Sequence, residues 1–238
     1  ALGSFGLVYN VDPSTPFLQI SDDKSAFDTV KYPWELLDDK IGDCDDLATL
    51  YGTLLNNIGI ETMWLDVFKP GEGHVFLMFD SGVKPDDVDR LFLDRTEVAI
   101  VDNKVWIPVE ATLVGKPFFS AWKQGALKYT QMKTDQFINE ISMTKAMAKY
   151  LPGSITPEEV YIPDPAGVSD LLEEDIRQYI KWLDQVVAKG IEGKLETADD
   201  YYDVAVLYME FGRYQSAIDN LNTAMGITPN FPDALNTL

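Results

Sequence analysis

The chain holds one cysteine, Cys44, and one histidine, His74. Such a pair can carry out nucleophilic acyl chemistry, the sulfur attacking and the imidazole taking and returning the proton. A thiol attacks as thiolate, and a helix N-terminus favours that form by placing positive partial charge beside it. Asp43, Asp45 and Asp46 surround Cys44, and neighbouring negative charge opposes the thiolate. Helical side chains project about 100° apart, so Asp45 and Asp46 are expected to point away from the sulfur. A cationic partner is still needed. A lone histidine is structural more often than catalytic, but Cys44 and His74 each open an element, which favours the pairing. A third group must accept from the second imidazole nitrogen. Glu110 ends the apolar segment 105–109, and Asp94 and Glu97 are its rivals by composition.

The elements that must hold these groups follow from periodicity. Leu47, Leu50, Tyr51, Leu54, Leu55 and Ile58 lie on one face of a helix. Asp43 suits its N-cap and Gly59 its stop. Three residues back from Leu47, Cys44 falls in the first turn on the inward face. Tyr32-Pro33-Trp34-Glu35-Leu36-Leu37 reads as a short preceding helix, with proline at its first turn. Strands are expected at 62–68, 74–79, 91–93, 98–101 and 105–109, with Asp102-Asn103-Lys104 as a hairpin turn. The apolar run 74–79 suits a central strand. Residues 118–150 read as helical. One helix followed by an antiparallel sheet is an α+β arrangement.

Four prolines, Pro152, Pro157, Pro163 and Pro165, mark a linker at 151–168 between a domain at 1–150 and a helical one at 169–238. A helix is expected at 171–188. Short apolar runs at 5–9 and 17–20 lead into the first domain, and Trp64, Trp106, Trp122 and Trp182 are expected in the core.

The net charge of −20 and a pI near 4.2 disfavour nucleic acid as a partner. No apolar run reaches the roughly 18 residues of a membrane span. One cysteine forms no internal disulfide, so compartment is left open by cysteine count; an extracytoplasmic, periplasmic or surface-associated site is favoured over the cytoplasm. Beginning at Ala1 without a leader, the chain reads as a processed or trimmed piece.

Gly42-Asp43-Cys44-Asp45-Asp46-Leu47-Ala48, with Leu54-Leu55 and Gly59-Ile60, resembles the nucleophile helix of the transglutaminase-like superfamily. Gly73-His74-Val75 resembles its histidine strand, and 106–112 its tryptophan, acid and threonine segment. Residues 32–37 resemble the lead-in of bacterial members. The ordered set spans about 30–115. It implies a papain-related core, with Cys44 as nucleophile, His74 as base then acid, and Glu110 as the orienting acid. Glu110 is a departure, because the family usually has aspartate there. The Cys44 backbone N–H would serve the oxyanion hole, with Trp34 or Tyr32 as candidate second donors. Hydrolysis is favoured over transfer to an amine.

From 198 to 231 the chain resembles a tetratricopeptide repeat. Tyr201, Val204, Ala205 and Tyr208 fall on one helix and Ala217, Leu221 and Ala224 on a second. Gly212 and Tyr214 lie at the turn, Pro229 closes the unit, and Pro232 begins another repeat. One repeat cannot bury its own apolar face, so either the 171–188 helix covers it or the natural chain continues. The repeat implies a protein partner.

The expected activity is therefore cysteine-dependent acyl transfer or hydrolysis on a peptide or protein substrate, with no cofactor. The alternative is a catalytically inactive scaffold that binds proteins. A metal site from Cys44, His74 and nearby acids is disfavoured for want of further Cys or His ligands. The aspartates lack the spacing of an EF-hand loop.

Overall fold

The structure, a computed structural model, describes residues 2–3, 5–11, 29–151, 153, 169–190 and 195–237. The apolar run at 17–20 and the four linker prolines lie outside them. The chain forms two compact units: Ala1–Asp89 with Asp94–Ile176, and Arg90–Leu93 with Arg177–Leu238.

The first unit combines helices with an antiparallel sheet, the α+β arrangement expected. Two short strands, β1 (Val8–Tyr9) and β2 (Ile41–Gly42), pair in parallel. Between them lies helix α1 (Pro33–Asp39), and after them α2 (Cys44–Asn57). The main sheet has strands β3 (Thr62–Lys69), β4 (Glu72–Asp80), β5 (Ala99–Val101), β6 (Lys104–Val109) and β7 (Ile138–Ser142) in the order β5-β6-β4-β3-β7. Asp102 and Asn103 take left-handed φ values of 51° and 60°. They form the two-residue turn whose twist matches that of its flanking strands. Helix α3 (Phe118–Thr134) precedes β7, and α4 (Met143–Lys149) follows it.

Strand alternation divides the core between two faces. Leu65, Val67, Phe76, Met78 and Trp106 bury one face against Tyr129 and Met132 of α3. Leu77, with partly buried Trp64 and Val75, packs the other face against Leu47, Ala48 and Leu50 of α2. Each fully buried apolar side chain here contributes about 1.5–3 kcal/mol relative to exposure. Of the stripe that the spacing indicated, Leu47, Leu50, Tyr51 and Leu55 face inward, whereas Leu54 is 41% exposed and Ile58, just past the helix end, 72% exposed.

Two expected elements are corrected. Residues 91–93 are not a strand. Val88–Leu91 is a helical turn continuing from Pro85–Asp87, where a proline opens a tight 3-10 turn. Nor is 118–150 helical throughout: α3 stops at Thr134, Gln136 takes φ 60°, and the chain returns as β7 along β3. The left-handed residue reverses the chain, and pairing with β3 outweighs local helical character.

The second unit contains Arg177 onward of α5 (Ser169–Gly190), then α6 (Ala198–Glu210), α7 (Tyr214–Ile227) and α8 (Pro232–Thr237). Thr197 and Asp200 cap α6 reciprocally, at 2.7 and 3.2 Å. Gly212, at φ +69°, turns α6 into α7. Ala205, Ala217 and Ala234 are buried with Leu221, so small side chains sit where these helices meet. Leu183 and Val187 of α5 pack on Val204 and Leu207, covering the apolar face of α6. Among the described residues no helix is long and apolar enough to cross a membrane.

One glycine sets the approach of α3 to the sheet. A Cβ at Gly125 would stand 2.7 Å from the Pro108 carbonyl carbon and oxygen and from Val109 N. Gly125→Ala is expected to lower unfolding free energy by about 1–3 kcal/mol in urea denaturation. Gly226→Ala, in α7 with open space around it, is expected to shift stability by less than about 1 kcal/mol. A Gly125→Ala protein as stable as its parent would contradict this docking.

Candidate active site

Cys44 is the first residue of α2, and the sequence around it builds a helix start. Asp43 is extended (φ −96°) and caps the helix: its Oδ1 accepts from Asp46 N–H at 3.5 Å, and Asp46 Oδ2 accepts from Asp43 N–H at 3.3 Å. Asp46 Oδ1 also accepts from Lys31 N–H at 2.7 Å. Asp46 is therefore a buried structural acid, turned from the sulfur as expected. Gly42 makes room for it, since a Cβ there would lie 2.5 Å from Leu36 Cδ1 and 2.9 Å from Asp46 Cβ.

Asp45 departs from expectation. Its Oδ1 accepts from the Asp46 N–H at 3.0 Å, and that local bond keeps the carboxylate near the helix start. Ligand atoms of Asp43, Cys44 and Asp45 all lie within 4.8 Å of one another. Burial raises the half-buried Cys44 thiol to about 11, and the charges of Asp43 and Asp45 push the same way. The Val75 and Asp45 backbone N–H groups oppose them.

Strand register explains why the Val75 amide is available. Asp80 N–H bonds toward β3 (Glu61 O, 2.9 Å) and Ser81 N–H toward β6 (Val105 O, 2.9 Å). By alternation the Val75 amide faces the β6 side. The β4–β6 pairing ends at Leu77↔Val109, so no β6 residue meets Val75. The sulfur of α2 lies by that open amide.

His74 and Glu110 form the other half. His74 Nε2 and Glu110 Oε2 are 2.8 Å apart. Thr112 donates to Glu110 Oε1 through Oγ1 at 2.7 Å and through its backbone N–H at 3.2 Å. Lys128 Nζ lies 3.7 Å from Oε2. The Glu110 backbone N–H donates to Ala121 O of α3 at 3.0 Å, a bond that the Gly125 approach permits. Burial alone would raise the Glu110 carboxyl; His74, Thr112 and Lys128 outweigh it and hold the carboxyl below its usual range. His74 stacks on Phe76, with centroids 5.8 Å apart. Its Nδ1 has no hydrogen-bond partner among the described residues.

Two of the three expected catalytic residues, His74 and Glu110, are thus brought into contact. Glu110 holds His74 directly, and Cys44 lies beside Val75, the next residue of the same strand. No hydrogen bond joins Cys44 to His74 among the described residues. A cavity of about 670 Å³ opens over His74, Glu110, Thr112 and Lys128 without Cys44 in its wall. Tyr9 lines it, and burial with the nearby charges of Cys44, Asp43 and Glu110 raises its hydroxyl. Neither Tyr32 nor Trp34 hydrogen-bonds Cys44 or His74; both are over a third exposed on the α1 lead-in. Asp94 caps the 3-10 turn Arg95–Glu97, so Glu110, not Asp94 or Glu97, is the partner of His74. Among the described residues the ligand atoms of Asp43, Cys44 and Asp45 group together without His74.

Lys128 and Tyr9 escaped the sequence reading, and Thr112 entered it only as the threonine of the 106–112 segment, without a role. Thr112 had a signal, since a hydroxyl two residues after an acid can close a local turn on it. Lys128 and Tyr9 had none, because both arrive through long-range packing.

Glu110→Gln is expected to cost about 1–3 kcal/mol at pH 7. A depressed folded-state carboxyl stabilises above its unfolded value, about 4.3, and that stabilisation is lost as pH falls through the lower folded value. Urea denaturation of parent and variant across pH 7 to 3 should therefore show the gap closing at the acid end. A gap independent of pH would contradict a carboxyl held below its usual range at Glu110.

Comparison of the chain with protein-family models, with curated proteins and with solved structures finds no significant match in any of the three.

Proposed function

We propose that the first unit is a transglutaminase-like cysteine enzyme acting on peptide or carboxamide bonds. The observation that carries this reading is the buried Glu110–His74 hydrogen bond beside the first turn of the Cys44 helix. In this reading His74 Nδ1 takes the thiol proton and the sulfur attacks the carbonyl carbon, forming a C–S bond. The displaced amine leaves with a proton from His74. Water then cleaves the acyl–sulfur bond, with His74 again moving the proton. An amine in place of water would give transamidation. The Cys44 N–H carries no hydrogen bond among the described residues, which suits an oxyanion donor.

Magnitudes decide what the site needs. Lowering a thiol from about 11 to about 8 takes roughly 4 kcal/mol. An imidazolium about 4 Å away, at an effective dielectric near 20, supplies about 4 kcal/mol. Only contact between the sulfur and the His74 ring suffices; the helix terminus, at about 0.3–1 kcal/mol, does not.

The pair α6 and α7, with its buried Ala205 and Ala217, supports reading the second unit as a tetratricopeptide-type module for a protein partner. One observation favours a second reading of the whole, an inactive scaffold that binds proteins: the thiol is raised and makes no bond to His74.

Iodoacetamide alkylation of Cys44 against pH separates the two. The enzyme reading expects reactivity that persists well below pH 8 and drops at least about tenfold in His74→Ala. A rate that rises only toward pH 11 and ignores His74→Ala would establish the scaffold instead.

A further inference from the structure

The cavity beside His74 has a charge that the chain as a whole does not. The protein carries 39 acidic and 19 basic residues. Around this cavity stand Lys116, Lys123 and Lys128, with Glu110 as the one acid. Both Glu110 oxygens are already engaged, Oε2 by His74 and Oε1 by Thr112. Lys128 is shared between Glu110 and Glu72, at 3.7 and 3.9 Å. Lys116 and Lys123 make no ion pair among the described residues.

We propose that this cavity receives the carboxylate of an acidic residue within a peptide, held between Lys116 and Lys123. The proposal rests on the acyl-transfer reading and names the substrate class of that site. Ser120, Lys123 and Gln124 are three and four residues apart on α3, so they present one stripe to the cavity. A hydroxyl, an amide and an ammonium group thereby belong to the same wall of the cavity. A volume of about 670 Å³ in a cleft open to solvent leaves room for a short peptide lying across it. Long polyanions are excluded by the net charge of −20, which repels whatever extends beyond the cavity. One or two carboxylates on an otherwise neutral peptide meet both conditions.

The test uses Cys44→Ser protein, so that binding is read without turnover. Isothermal titration compares a doubly capped peptide of about five residues, with glutamates flanking a central glutamine, against its all-glutamine counterpart. The acidic peptide is expected to bind at least fivefold tighter, with the advantage shrinking as salt rises. Lys116→Gln and Lys123→Gln should each weaken it about two- to fivefold. Lys84→Gln, an exposed site away from the cavity with the same charge loss, should leave it unchanged. Equal affinity for both peptides overturns the proposal, as does an equal loss in Lys84→Gln. Free glutarate binding as tightly as the peptide would assign the site to a small acid and overturn the peptide reading. Because the nucleophile is absent, failure here leaves the cysteine chemistry standing, and failure of alkylation leaves this binding intact.

Discussion

The hydrogen bond between His74 and Glu110 is the constraint on which the site depends. A carboxylate buried as deeply as Glu110 is costly unless every lone pair is met. The fold meets them from three directions: β4 supplies His74, the turn after β6 supplies Thr112, and α3 supplies Lys128. The same α3 accepts the Glu110 backbone N–H through Ala121 O, at a distance that only glycine at 125 allows. Sheet register, helix docking and imidazole orientation are therefore one problem with one solution.

The sulfur is held by a different set of forces. Its helix packs on the Val75–Leu77 face of the sheet, whereas His74 alternates to the Phe76 face under α3. The two halves approach each other where β6 parts from β4 beyond Leu77↔Val109. That gap frees the Val75 amide for the sulfur and leaves His74 Nδ1 unpaired. The aspartates at the helix start have divided roles: Asp43 and Asp46 make the cap, while Asp43 and Asp45 raise the thiol. Capping α2 well and ionising Cys44 easily are opposed requirements, and the chain meets the first. In the proposed reading, reactivity must then come from imidazole.

What could be read from the sequence was local. The α2 stripe, the Asp43 cap, the Asp102-Asn103 turn and the pairing of an acid with the lone histidine all follow from residue type and spacing. Glu110 was one of three candidate acids by position and composition, and the resemblance singled it out. The misread parts depend on distant pairing. β7 has little apolar alternation and forms because β3 offers an edge. Asp45 was misjudged because its carboxylate bonds the next N–H, which overrides the regular projection of helical side chains. Tyr9 reaches the cavity only because β1 pairs with β2 across the intervening chain. The lysines were visible as residues, but their convergence required α3 to dock over the end of β6.

The most direct test of the central claim is the ultraviolet thiolate absorbance of Cys44, taken as parent minus Cys44→Ser across pH. If His74 supplies the charge that the aspartates oppose, thiolate appears below pH 8 and vanishes there in His74→Ala. A single ionisation near 11, the value that burial and the neighbouring aspartates set against two backbone N–H groups, in both parent and His74→Ala would contradict it.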